Sequence, residues 1–157
     1  MSQEQAASTP SPDIPEQIGA LLTSQKLAVL ATQRQGQPHV SLVAFAATAD
    51  SRELIFATTR TSRKFVNLQV DARAALLIDS RTHQEADFHR GQALSATGNV
   101  MELSGPEKDS RLQLFLTKHP HLREFVQSPS CALMSLKVQV YNLVSKFQKV
   151  IEYRLSP

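Results

Sequence analysis

Between Lys26 and Leu103 the chain is cut into short apolar runs by turn residues, and this spacing restricts the fold more than any other feature. Lys26–Thr32 (KLAVLAT), His39–Thr48 (HVSLVAFAAT), Leu54–Thr58 (LIFAT) and Ala74–Asp79 (AALLID) have strand length and are bounded by polar or glycine-bearing gaps. Gly36 lies in the first gap and Asp50–Glu53 fills the second, so the first three runs read as an antiparallel meander. Gln92–Leu103 is a longer fifth strand, with Gly98 as its bulge or bend. Cys131–Tyr141 and Lys146–Tyr153 complete the set, since Leu136, Val138 and Val140 alternate with polar neighbours. So many short strands must close on themselves or be covered, because an open edge is a template for aggregation. The expectation is a mainly β protein of the α+β class, a barrel with short helices at its edges.

Three helical patterns supply those edges. Asp13 and Glu16 stand at capping-box spacing with Pro15 in the first turn, and Ile18, Leu21 and Leu22 form the stripe that follows. Phe65, Leu68 and Gln69 fall at helical spacing after Thr61, the expected N-cap. Ser104 and Glu107 repeat the capping box ahead of Leu112, Phe115, Leu116 and His119; Pro120 ends that helix, and Leu122–Val126 reads as one more turn. Residues 1–12 are rich in Ser, Gln, Ala and Pro with no apolar period, so a flexible N-terminal tail is expected ahead of a single domain over 13–157.

Charge and composition narrow the function classes. A formal net charge of +3 suits an anionic ligand, while the Lys/Arg stripes with interleaved aromatics that bind nucleic acid are absent. Cys131 is the sole cysteine, which excludes an internal disulfide and reads as a small buried residue in a reducing compartment. No apolar stretch is long enough for a bilayer, and no secretory signal pattern opens the chain, so a cytoplasmic protein is expected. No Ser-His-Asp or Cys-His arrangement and no Gly-rich phosphate loop occurs. His83, Glu85, Asp87 and His89 alternate and would share one face of a strand; they read equally well as a polar loop, and no metal is expected.

Chemistry concentrates in Thr58–Lys64 (TTRTSRK), which runs from a strand end into a helix start. Arg63 and Lys64 fall in the first helical turn, where the positive end of the dipole disfavours cations. A rule broken locally often marks a functional site. An anion there reverses the sign of the problem: free N–H groups, the hydroxyls of Thr58, Thr61 and Ser62, and two cations converge on one phosphate. On spacing alone, a solvated basic turn is the competing reading.

The run Phe56–Lys64, then Asn67-Leu68, then Asp71–Ile78 resembles the central block of the pyridoxamine 5'-phosphate oxidase family, and the similarity extends over residues 26–103. The resemblance implies an FMN-binding split β-barrel in which Thr58, Ser62, Arg63 and Lys64 bind the FMN phosphate. It implies that Val40, Ser41, Leu42 and Val43 turn a backbone edge toward the isoalloxazine ring, and that Gln92 lies near the flavin. It also implies a homodimer with flavin at the subunit interface. Val138, Val140, Leu143, Val144, Phe147 and Val150 look like the apolar face such a pairing would bury, and Tyr141, Lys146 and Gln148 are candidates to complete the partner's site. Asp71-Ala72-Arg73 replaces the family's N-P-R, no Arg-x-His occurs in Cys131–Pro157, and tryptophan is absent. The flavin site therefore carries over better than the vitamin substrate. The implied function is an FMN-dependent oxidoreductase acting on a small-molecule substrate or electron donor. A non-enzymatic flavin- or heme-binding protein of the same fold, or a phosphate- or nucleotide-binding regulator that uses the Arg63/Lys64 junction without redox chemistry, are the alternatives.

Overall fold

In the computed structural model, residues 12–86, 90–146 and 148–157 are described. The expected tail, apart from Pro12, and the residues Asp87, His89 and Phe147 singled out above lie outside them. The apolar runs form seven antiparallel strands: β1 (Leu27–Arg34), β2 (Gln37–Ala47), β3 (Glu53–Thr59), β4 (Arg73–Asp79), β5 (Gln92–Glu102), β6 (Cys131–Ser145) and β7 (Lys149–Arg154). Their order is β3-β2-β1-β4-β5-β6-β7. Pairing of β3 with β6, from Glu53 opposite Lys137 to Thr59 opposite Cys131, closes the first six strands into a barrel. Beyond the end of β3, the same edge of β6 takes β7 over Val140–Ser145. Among the described residues, four α-helices decorate the barrel: α1 (Ile14–Ser24), α2 (Arg63–Val70), α3 (Gly105–Lys118) and α4 (Arg123–Gln127).

Local chemistry explains most element ends. Asp13 caps α1 by accepting from the Glu16 N–H at 2.8 Å. Gly98 sits where β5 slips register against β6, and a Cβ there would stand 1.9 Å from the Lys137 carbonyl oxygen, so only glycine fits the bulge. Two expected caps differ. Ser62, not Thr61, caps α2, its hydroxyl accepting from the Phe65 N–H at 3.2 Å. Ser104 makes no side-chain cap, because the chain enters α3 through Gly105 at φ +61° and its hydroxyl is not aimed at the first turn.

Burial falls into two layers. Inside the barrel, Leu30, Phe45, Phe56, Leu76, Leu94 and Tyr141 pack together. Outside it, Ala46, Ile55 and Leu133 are covered by Phe115 and Leu116 of α3 and Val126 of α4. Residues 131–136 are therefore buried on both faces, and the alternation seen in the sequence starts only after them. Tyr141 is core, its Oη donating to the Ser51 carbonyl at 2.7 Å, and is not available to a partner's site. The expected interface face is corrected likewise: Val138 and Leu143 belong to the barrel core. Val150 of that face is 60% exposed, and further exposed apolar side chains lie on the outside of β2 and β4, where Leu42 and Leu77 flank the partly exposed Val29 in one row and Val40 and Leu42 are each 64% exposed.

Candidate functional site

The barrel is split beside β2. β2 and β3 pair only at Phe45–Phe56, Ala46–Ile55 and Ala47–Leu54. Before Phe45, β2 follows β1 while β3 follows β6, so the two strands part. α2 lies against β1, β2 and β3 at this opening, with Asn67 and Leu68 buried and the Asn67 amide donating to the Thr32 hydroxyl at 3.1 Å. Along Pro38–Ala44 the far edge of β2 consequently has no strand partner, and alternate residues turn N–H and C=O groups toward the gap.

The start of α2 stands at that gap. Thr58 is only 2% exposed, and its hydroxyl lies 2.7 Å from that of Ser62. Ser62 Oγ already accepts from the Phe65 N–H. If Thr58 donates to it as well, the Ser62 O–H stays free to donate outward. Thr58 then positions Ser62, and Ser62 is the group that can meet an anion. The Arg63 and Lys64 N–H groups, at the first two helical positions, have no intrahelical acceptor. Neither side chain has a carboxylate partner among the described residues. Arg60, Arg73 and Arg111, by contrast, pair with Glu102 at 2.5 Å, Asp71 at 2.7 Å and Glu53 at 2.7 Å.

Consecutive helical positions point about 100° apart, and the two cations diverge accordingly. Lys64, half-buried, lines a cleft of about 380 Å³ together with Leu42, Val43, Thr58 and Thr59. Arg63, exposed, lines a neighbouring groove of about 740 Å³ with Thr61, His39 and Arg34. Thr58, Ser62, Lys64, Leu42 and Val43 are thus brought together, with Arg63 on the other flank of the same helix start. Ser41 Oγ is buried without a hydrogen-bond partner among the described residues, and Val40 lies on the outer sheet surface. Gln92 stands apart. It pairs with Ser145 and lines a groove beside Ile14 and Gln17 of α1. Glu102, which binds Arg60, is at the opposite end of β5, roughly 30 Å along the strand.

One part of the lining of the Lys64 cleft was not foreseen from the sequence: Phe115 of α3, Leu122 just before α4 and Phe125 of α4 line it together with Ala44 and Ala57. No local pattern in the sequence marks these residues as one wall; in the fold Phe125 is left 41% exposed. Behind this wall His119 is buried, its Nε2 2.8 Å from the Phe45 carbonyl oxygen, and burial lowers its pKa. Lys118 lies 4.1 Å over the Phe45 ring and donates to the Leu22 carbonyl at 2.8 Å. Together they fasten β2 at the point where it leaves β3.

A family model described as pyridoxamine 5'-phosphate oxidase matches residues 14–144. No curated protein matches the chain. Among solved structures, a heme binding protein from Mycobacterium smegmatis is 16% identical with a TM-score of 0.83, covering 93% of this chain and 60% of that one. The chain thus spans about three fifths of that protein's length. A NimC/NimA family protein from Clostridium acetobutylicum is 16% identical with a TM-score of 0.68, covering 90% of this chain and 92% of that one. An FAD-binding protein from Mesorhizobium loti is 15% identical with a TM-score of 0.66, covering 82% and 90%. At such identities the likeness is one of fold.

Proposed function

Since the chain belongs to the pyridoxamine 5'-phosphate oxidase family, we propose that it binds FMN at the split of its barrel and acts as a flavin-dependent oxidoreductase. The observation that carries this reading is the open edge of β2 beside phosphate-type donors: the Ser62 hydroxyl held by Thr58, the Arg63 and Lys64 N–H groups without intrahelical acceptors, and the two cations. Charge-assisted donors at a helix start suit a phosphate dianion. Unpaired N–H and C=O groups on the strand edge suit the polar rim of a flavin ring, and the unpartnered Ser41 hydroxyl lies on the same strand. Bound FMN would supply hydride or electron transfer, and the protein's tasks would be anchoring, orientation and exclusion of water.

Members of the family are often dimeric, and the reading includes a homodimer with flavin at its interface. The Leu42–Val29–Leu77 face continues directly from the strand edge and offers the apolar surface for it. A partner would also bring a second copy of Gln92, Lys146 and Gln148. Among the described residues no helix is long and apolar enough to cross a membrane, and the buried thiol of Cys131 suits a reducing cytoplasm. Pyridoxamine 5'-phosphate is not the substrate on this reading, since Cys131–Pro157 has no Arg-x-His.

The test is the absorption spectrum of the purified protein, with mass spectrometry of the released ligand and titration of apo-protein with FMN and FAD. Flavin bands, with FMN bound more tightly than FAD, are expected; FAD binding as tight as FMN would remove the monophosphate assignment. Heme carriage is the second reading, favoured by the description of the Mycobacterium smegmatis neighbour. A Soret band in place of flavin bands would select it. Light scattering that returns a monomer mass with flavin still bound would remove the interface.

A further inference from the structure

We propose that the helical side of the Lys64 cleft is a substrate subsite that takes an uncharged, flat, apolar molecule, seated between Ala44 and Phe125. The inference rests on the FMN reading above and adds a substrate class to it. The lining divides by element. Thr58 and Thr59 of β3 and Lys64 of α2 are its polar members, while Phe115 of α3, Leu122, and Phe125 of α4 give it an apolar helical side beside Ala44 and Ala57. Lys64 is the only ionisable side chain among the lining residues, and on the FMN reading the flavin phosphate engages it.

An ionised substrate group against the apolar side would find no counter-charge among the lining residues, whereas a neutral flat face would gain apolar contact there. The ionisable groups behind that wall are committed elsewhere. His119 is bound to the Phe45 carbonyl, and the Lys118 ammonium to the Leu22 carbonyl. Arg123 and Glu124, the other charges of α4, are exposed and do not line the cleft. Shape points the same way. The strand side includes the small side chains of Ala44 and Ala57, and Phe125, also in the lining, is 41% exposed. A ring so placed gains contact by covering a flat partner.

The experiment uses oxidised, FMN-loaded protein without reductant and two probes that differ in charge: 2-methyl-1,4-naphthoquinone and 1,4-naphthoquinone-2-sulfonate. Binding is read from perturbation of the flavin absorption bands. The neutral quinone is expected to bind at least about tenfold more tightly than the sulfonate. Phe125→Ala should weaken the neutral probe by roughly three- to tenfold, and Phe125→Lys should admit the sulfonate. FMN affinity and the mass in solution should stay as in wild type.

Equal or tighter binding of the sulfonate to wild type would overturn the subsite. Loss of FMN affinity in both Phe125 variants would assign that ring to the flavin instead, and a changed mass would assign it to the subunit contact. If wild type binds no FMN, the earlier reading fails by itself. Equilibrium dialysis of both probes against apo-protein then decides the subsite: a retained preference for the neutral quinone keeps it, and equal binding removes it.

Discussion

Lys64→Ala is the sharpest test of the proposed phosphate site. Lys64 is half-buried in the cleft beside Ser62, without a carboxylate partner among the described residues. A charge-assisted hydrogen bond contributes roughly 1.5–3 kcal/mol, about ten- to a hundredfold in a dissociation constant. Partial exposure and salt screening place the expected loss in the lower half of that range, about ten- to thirtyfold at physiological ionic strength. Arg63 is exposed and opens on the neighbouring groove, so Arg63→Ala should cost less, at most about tenfold. Neither change should destabilise the apo-protein. A cation in the first turn of a helix is unfavourable by a few tenths of a kcal/mol without an anion, so the melting temperature should hold or rise slightly. Riboflavin, which lacks the phosphate, isolates the effect: its affinity should not respond to either substitution. Lys108→Ala, at the start of α3, is the positional control and should leave FMN binding alone. The assay is fluorescence titration of FMN and riboflavin against all four proteins. Wild-type FMN affinity in Lys64→Ala, or an equal loss for riboflavin, would refute the reasoning.

Three further outcomes concern the frame that holds the site. Arg111 first, then Lys137 and Ser135, hold the Glu53 carboxyl down at about 2 against an ordinary value of 4.5. Its contribution, on the order of 3 kcal/mol, is complete above pH 4.5 and lost as the pH falls toward 2; urea unfolding of Glu53→Gln should lack that acid-side loss and show lower stability at neutral pH. Gly98→Ala puts a Cβ 1.9 Å from the Lys137 carbonyl oxygen, backbone that cannot swing aside, so the variant should fail to give a cooperative thermal transition; a wild-type melting curve would show that the bulge opens freely. Burial pushes Lys118 down to about 8 from 10.5, so the unfolded chain keeps a proton that the folded one releases, and stability should climb between those values. In Lys118→Met that rise should vanish from the difference between pH 8 and pH 10.

Locally encoded features could be read from the sequence. Turn spacing sets the strands because a glycine or polar cluster ends a run whatever lies elsewhere in the chain. The Asp13 cap, the Gly98 bulge and the helix after Thr58–Lys64 follow from chemistry within a few residues. The cationic helix start was visible because it breaks a local electrostatic rule. The near-miss between Thr61 and Ser62 has a local cause too: both can cap, and only the bond to the buried Thr58 hydroxyl, set by β3, accompanies Ser62. Other features depend on contacts far apart in sequence. Closure of the barrel joins Glu53 to Lys137 and Thr59 to Cys131, and no periodicity announces which strands meet. The split exists because β2 and β3 keep different partners beyond Phe45. The two-sided burial of Cys131–Leu136 needs α3 and α4 on the outside of the barrel, while Val40, Leu42 and Leu77 on β2 and β4 stay exposed. The apolar wall of the cleft is assembled from residues 44, 57, 115, 122 and 125, and only the folded chain brings these positions together. Residue types and short spacings thus determined where an anion can be held, while strand pairing, a long-range choice made by burial, decided what else faces it.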